Sequence, residues 1–369
     1  MRILFLSYIN TPEFNDPKQW LRRIRAYIGI LEQLAKKFEV ISIEQINYSG
    51  EYFQNGVQYV FLNYGKKKEL FPKQLHTRVK ELKPDIVFIH SMNFPFQILQ
   101  LRRKLGTSVP IIVQNHAEKP WNGWRRWLQR KADRVIDAYL FTSRAMAKSW
   151  EEKYIITDAG KVHEVMEASS VFFPIDNTTA KQQTKVTGEP VFLWVGRLDA
   201  NKDPLTVVRA FLRFAGGQPN ARLYMIFHTD ELLAVIKNEI SRHPHGQQLI
   251  QLVGKVEHEA MQYWFNSAAF IIAASYYEGS GVAVCEAMSC GCIPIVTAID
   301  AFRKLTNNGA CGRLYEVGKE EQLVKILNET RSIDLTEEKE KVLHQFHSQL
   351  SFEAIASGIE RITSLLVKK

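Results

Sequence analysis

The chain has 369 residues, of which 46% are apolar and 24% charged, with a net charge of +9. That length suits two or three domains with large cores, and the composition excludes extended disorder, collagen-like repeats and coiled coils. No run of 18 apolar residues is available to span a bilayer, and four cysteines are too few for a disulfide scaffold, so a reduced, cytoplasmic setting is expected.

The opening MRILFLSYI lacks a small-residue cleavage site and reads as a first strand rather than a secretory signal. Further apolar runs at Glu39–Glu44, Val57–Leu62, Asp85–His90, Pro110–Asn115 and Asp137–Thr142 predict strands. Between them, Lys18–Lys37, Glu69–Leu82 and Phe94–Leu105 have helical periodicity. Short apolar strands alternating with helices imply a parallel sheet covered on both faces. The polar stretch Asp176–Glu189 reads as a linker. The alternation then restarts with strands at Pro190–Val195, Ala221–Phe227, Leu249–Gly254, Ala268–Ser275 and Ile293–Thr297. Asp203-Pro204 supplies an N-cap and a first-turn proline for a helix over Asp203–Phe214. The expected fold class is therefore α/β, with two doubly wound domains and a cleft between them. The expected boundaries are 1–178 and 179–350, with an amphipathic helix in 351–369 crossing back to the first domain.

Charge is uneven. Residues 1–180 hold 27 basic and 18 acidic side chains, and residues 181–369 hold 21 of each, so the whole excess lies in the first half. Such a field attracts an anionic partner, or serves solubility alone. Arg22-Arg23-Arg25, Lys66-Lys67-Lys68 and Arg102-Arg103-Lys104 share this bias. The segment Trp121–Lys131 is dense in Trp and Arg. It reads either as a helix lying in a membrane interface or as one that packs two tryptophans into the core.

The chemistry concentrates in the second half. After the strand ending at Ser275 comes Glu278-Gly279-Ser280-Gly281, then a helix to about Cys290 capped by Gly291. Unpaired amides at the start of that helix suit a phosphate, and the glycines let backbone approach it. Glu286 can accept from vicinal ribose hydroxyls, and Glu278 can orient a sugar. Arg197 and Lys202 follow the strand ending at Val195, where open α/β sheets bind ligands, and together can neutralise a diphosphate. Taken separately, each feature also fits solvated loop charges. Neither G-x-x-x-x-G-K-[ST] nor G-x-G-x-x-G is present, which weighs against a P-loop NTPase or a nicotinamide enzyme.

The combination of Gly196-Arg197…Lys202 with Glu278-(seven residues)-Glu286 resembles family 4 of the retaining glycosyltransferases, which have the GT-B fold. Leu252–Val256, Glu286-Ala287-Met288…Gly291 and Phe346–Leu366 carry the same resemblance. In the first half, Pro84–Val87…His90, the strand ending at His116, and Phe141-Thr142-Ser143 extend it. The resemblance implies that Arg197 and Lys202 bind the donor diphosphate. It implies that Glu286 binds the ribose, that Glu278 contacts the transferred sugar, and that Ser280, Gly281 and Val282 present amides to phosphate. Lys255 and Val256 would contact the base, and His116 would face the reaction centre from the first domain, which holds the acceptor. It implies a metal-independent, retaining transfer from a UDP- or GDP-linked sugar, with no cofactor. The acceptor would be a glycan or lipid-linked glycan of cell-surface polysaccharide synthesis, and the basic first half would touch the inner face of an anionic membrane. The chain departs from the family pattern at three places: Asn10–Pro17 has no glycine, Ile226–Asp230 has none, and Glu167-Ala168-Ser169-Ser170 replaces an Asn-Gly turn.

A non-catalytic nucleotide- or carbohydrate-binding module on a degenerate fold of this kind is the alternative. No nucleic-acid motif appears, and no nucleic-acid partner is expected. Cys285, Cys290, Cys292 and Cys311 lack a standard zinc spacing and read as small core side chains.

Overall fold

The computed structural model describes residues 1–64 and 70–367. The Lys66–Lys68 cluster lies outside the described residues. The chain divides into two compact units: unit 1 is Met1–Ser169 with the segment from Phe352 onward, and unit 2 is Ser170–Ser351.

Unit 1 contains β1 (Arg2–Thr11), α1 (Pro17–Arg23), α2 (Arg25–Ala35), β2 (Glu39–Ile46), β3 (Gly50–Gln54) and β4 (Val57–Leu62). It continues with α3 (Lys73–Glu81), β5 (Ile86–His90), α4 (Pro95–Leu105), β6 (Ile111–Gln114), α5 (Arg126–Asp133), β7 (Ala138–Phe141) and β8 (Val162–Glu164). The eight strands lie in the order β3-β4-β2-β1-β5-β6-β7-β8, and only the β3–β4 pair is antiparallel. Leu4, Leu6, Ile41, Val87, Ile89 and Val113 form the apolar layer under its helices. The final helix, Phe352–Val367, packs on α2. Gly29 makes the slot for it: a Cβ there would lie 2.6 Å from the Phe352 ring. Gln33 donates to Glu353 (2.7 Å) and Lys37 pairs with Glu360 (2.8 Å) at the rim.

The expected single helix over Lys18–Lys37 is two helices. Ile24 leaves the helical region (φ −102°, ψ 20°), ending α1 and opening α2. β1 runs on to Thr11, through the segment where the family pattern has its glycine-rich loop, and turns back with Phe14 N–H donating to Thr11 O (3.2 Å).

Unit 2 contains β9 (Val191–Val195), β10 (Arg222–Ile226), β11 (Ile250–Gly254), β12 (Phe270–Ala273), β13 (Ile293–Thr297) and β14 (Arg313–Tyr315), all parallel, in the order β11-β10-β9-β12-β13-β14. The change of direction in strand order falls between β9 and β12, the place where a doubly wound sheet opens a crevice.

The expected boundary after residue 178 moves to Ser169/Ser170. Phe172 is buried in the core of unit 2, and Asn266 binds both Ile175 N–H and the Asn177 side chain. Nor is Asp176–Glu189 wholly a linker. Asp176 accepts from Thr179 N–H (2.8 Å) and caps a helix over Asn177–Thr184, whose Ala180 is buried. Among the described residues, no helix is long and apolar enough to cross a membrane.

Candidate active site

In unit 2, two loops leave the carboxyl ends of the adjacent strands β9 and β12 and are tied together. Tyr276 N–H donates to Asn201 O (2.8 Å), and the Asn201 amide donates to Tyr277 O (3.0 Å). Lys202 Nζ then pairs with Glu278 Oε1, which also accepts from Ser275 Oγ (2.6 Å). Lys202 and Glu278, 76 positions apart, are thus in direct contact. Arg197 shares the loop but is more than half exposed, and pairs with Asp199 at 3.0 Å. Asp199 also accepts from Lys202 N–H (3.0 Å), bracing the turn before the helix Pro204–Ala215.

Gly281 is in left-handed backbone (φ +64°), and a Cβ there would meet the Phe302 ring at 2.7 Å, so a side chain is excluded twice over. It opens the helix Val282–Ser289 with no side chain capping its first amides, and Ser280 beside it is buried. The far end closes in a Schellman turn: Gly291 N–H reaches Met288 O and Cys292 N–H reaches Ala287 O.

Glu286 lies in the second turn of this helix, its side chain 8% exposed. His258 Nε2 bonds its Oε1 at 2.6 Å, and the His258 ring packs on Phe172, centroids 4.8 Å apart. His258 comes from the same stretch as Lys255 and Val256, after Gly254 at φ +83°. Lys255 is exposed and pairs with Glu257 (3.3 Å), while Val256 packs against the unit's core.

All four cysteines are buried and unpaired with one another. Burial pushes every thiol up, Cys290 and Cys311 to about 12.

In unit 1, His116 follows β6 in a tight turn. Its N–H donates to Glu118 (2.6 Å), Ala117 N–H donates to the Asn115 side chain (3.0 Å), and Ala117 has φ +68°. Both ring nitrogens are engaged. Nδ1 faces Glu167 Oε2, and Nε2 faces His90 Nδ1 at 3.0 Å. His90 Nε2 in turn meets the Tyr27 hydroxyl at 2.7 Å. Burial, helped by the neighbouring His116, lowers His90 to about 3, so it stays neutral. Burial also pulls His116 down, but the bond and charge of Glu167, with Glu118, outweigh it and leave its pKa raised. Sequence reading singled out His90, His116 and Glu286, but not Tyr27 and Glu167 as partners of the two histidines, nor His258 as the partner of Glu286. Glu167 is one of the departures from the family pattern, and it puts a carboxylate on His116.

The tryptophans of 121–131 do not pack into the core as a pair. Trp124 is 77% and Trp127 55% exposed. Arg102 leaves the expected surface cluster. It is buried and donates to the carbonyls of Val135, Gly106 and Val109 and to Asp137.

Known proteins share the chain's family and fold. The glycosyl transferases group 1 family model matches residues 176–343, and the glycosyltransferase family 4 model matches 14–165. The GDP-mannose:cellobiosyl-diphosphopolyprenol alpha-mannosyltransferase of Xanthomonas oryzae pv. oryzae is 25% identical over 246 residues, a match covering 62% of this chain and 60% of that relative. A glycosyltransferase from Rickettsia africae has the same fold (TM-score 0.75, 16% identity, 100% of this chain and 98% of that one). So does sucrose-phosphate synthase of Thermosynechococcus elongatus (0.71, 16%, 100% and 99%). Anabaena HepE, solved with UDP and glucose, is a third (0.70, 15%, 99% and 100%). The two parallel-sheet units and this likeness define a glycosyltransferase of the GT-B fold. The chain belongs to glycosyltransferase family 4, with the group 1 domain in its second unit.

Proposed function

We propose that this enzyme transfers a sugar from a UDP- or GDP-linked donor to a glycan or lipid-linked glycan, with retention at the anomeric carbon and without a metal ion. Its place would be the inner face of a cell membrane, in surface polysaccharide synthesis. The observation that carries the reading is the meeting of Lys202 and Glu278 beside the uncapped helix start at Gly281.

Cleavage of the anomeric C–O bond builds negative charge on the departing diphosphate. Lys202, Arg197 and the amides at Ser280, Gly281 and Val282 can meet that charge as it develops. They lower the transition state more than the ground state and supply what a divalent cation supplies elsewhere. Without donor, Lys202 and Glu278 neutralise each other. With donor, the ammonium would turn to phosphate and release Glu278, still oriented by Ser275, to a sugar hydroxyl. Glu286 would hold the ribose, and Lys255 and Val256 would border the base. His116 would act on the acceptor side through the Glu167-linked chain. A polyprenyl-diphosphate acceptor, like the one in the mannosyltransferase relative's name, fits the basic first half.

A panel of nucleotide sugars scored by thermal shift identifies the donor, because selective binding raises Tm by mass action. Proton NMR of the product's anomeric signal then reads the stereochemistry. A chain that no UDP- or GDP-sugar stabilises, or a product of inverted configuration, would overturn the proposal. Binding without turnover on any acceptor fraction would favour the non-catalytic module.

A further inference from the structure

We propose that unit 1 docks on an anionic lipid bilayer through the face carrying Trp124 and Trp127, with Leu70 and Phe71 beside it. This deepens the peripheral-membrane part of the functional reading and rests on that part alone.

A tryptophan normally buries much of its large ring, and two with most of their area in water three positions apart need a reason. The positions Trp124, Trp127 and Lys131, spaced for one helical face, run along the Gly123–Arg125 turn and α5. Lys131 Nζ lies 3.7 Å from the Trp127 ring centroid, and the Arg125 guanidinium lies 5.8 Å from that of Trp124. Each ring therefore carries a cation at its face, the pairing suited to the boundary between acyl chain and headgroup.

The segment is also one-sided in charge. Arg125, Arg126, Arg130, Lys131 and Arg134 lie within ten positions, and the only acid among them, Asp133, is buried and bound to Tyr139 and Thr157. Among the described residues none of these five cations pairs with a carboxylate. Such a row complements a dense anionic surface better than the scattered charges of a protein partner.

The topology extends the face. The segments at 70–72, 91–94 and 115–122 follow the carboxyl ends of the parallel strands β4, β5 and β6. Leu70 and Phe71 are both more than half exposed. They reach α4, which packs on α5: Phe71 meets Phe96 edge-on at 5.5 Å, and Gln100 donates to Leu70 O at 3.1 Å. His116 lies at the same strand ends, so a docked bilayer would hold a lipid-borne acceptor beside it.

The test is co-sedimentation of the full chain with phosphatidylcholine vesicles and with vesicles that also contain phosphatidylglycerol. The parent should pellet with the anionic vesicles only, and less as salt is raised. The double variant Trp124→Ser/Trp127→Ser should partition about tenfold less, and Arg130→Glu/Lys131→Glu should lose the preference for anionic lipid. Both should keep the parent's Tm and nucleotide affinity. Failure of the parent to bind anionic vesicles would overturn docking, as would unchanged binding by both variants. So would a parent dimer that the tryptophan variant converts to monomer. Vesicle binding without nucleotide binding would leave docking standing and remove the transfer reading, and the reverse result would do the opposite.

Discussion

In unit 2 the charged groups Arg197, Lys202 and Glu278 lie on two loops after neighbouring strands, β9 and β12. In unit 1 the polar chain Tyr27–His90–His116–Glu167 draws its members from α2, two strand ends and the stretch after β8. The first arrangement is a cradle of Arg197, Lys202 and Glu278 on two loops joined through Asn201 to Tyr276 and Tyr277. The second is a relay whose hydrogen bonds can run either way. With His116 neutral, Tyr27 donates to His90, His90 to His116, and His116 to Glu167. With His116 protonated, it donates at both nitrogens, and the His90 proton must move to the side facing Tyr27. One group pairs its charges across two loops, and the other can carry its proton in either of two arrangements.

That contrast can be broken most sharply at Lys202. Lys202→Ala should lower donor turnover by about 100- to 1,000-fold, the usual effect of removing one fixed group that meets transition-state charge. Steady-state kinetics with saturating donor would check it. A loss under tenfold would mean that the cradle is not where charge develops.

A smaller effect is expected at His258, which acts through Glu286. His258→Ala leaves a nearly buried carboxylate without that donor and should raise the donor KM about tenfold with little change in kcat. His258→Gln, which keeps an N–H, should recover part of it. Calorimetry with a nucleoside diphosphate and its 2′-deoxy counterpart separates positioning from mere structure. The variant should lose preference for the ribose form, whereas a structural defect would weaken both equally.

The relay should show itself in pH dependence. His116 has a folded-state pKa raised above 6.5, so its protonation adds stability that is fully present below pH 6.5 and is lost as pH rises through the raised value. Glu167→Gln should remove most of that contribution. The Tm gap between parent and variant should be widest below pH 6.5 and narrow as pH rises through the raised value. His90 works in the opposite sense: held near 3, it withdraws stability as pH falls below 6.5, in parent and variant alike. A Tm gap that is flat with pH would show that the Glu167 bond does not hold the His116 proton.

The least conspicuous expectation concerns the thiols. The native protein should react negligibly with Ellman's reagent, and all four cysteines should react on unfolding.

These expectations depend unequally on sequence. The central strands were legible because each is a short apolar run, and the helix Val282–Ser289 because glycines mark both ends. β3 escaped notice since it is an edge strand with one face in water, and GEYFQ shows no apolar run. β8 and β14 have three residues each, too few for any periodicity. The helix Asn177–Thr184 buries only Ala180 and meets the helix Met261–Ser267 through polar side chains, Asn177 on Asn266 O and Thr184 on Ser267, so its composition resembles a linker. Within the site, Lys202 and Glu278 were recognisable because both belong to motifs. Glu167 and His258 were not, because their partners lie 51 and 28 positions away and nothing local distinguishes them from surface residues.

The slot that Gly29 leaves for Phe352 has a consequence for biogenesis. During synthesis all eight strands of the first sheet emerge before any of unit 2, yet the helix that covers α2 follows the whole of unit 2. A nascent chain extended to Ser351 can complete its later unit while the earlier one still shows the uncovered stripe along Gly29, Gln33 and Lys37. The order of completion is thus inverted relative to the order of translation, and the ribosome-bound intermediate must be kept from sticking until its closing segment arrives.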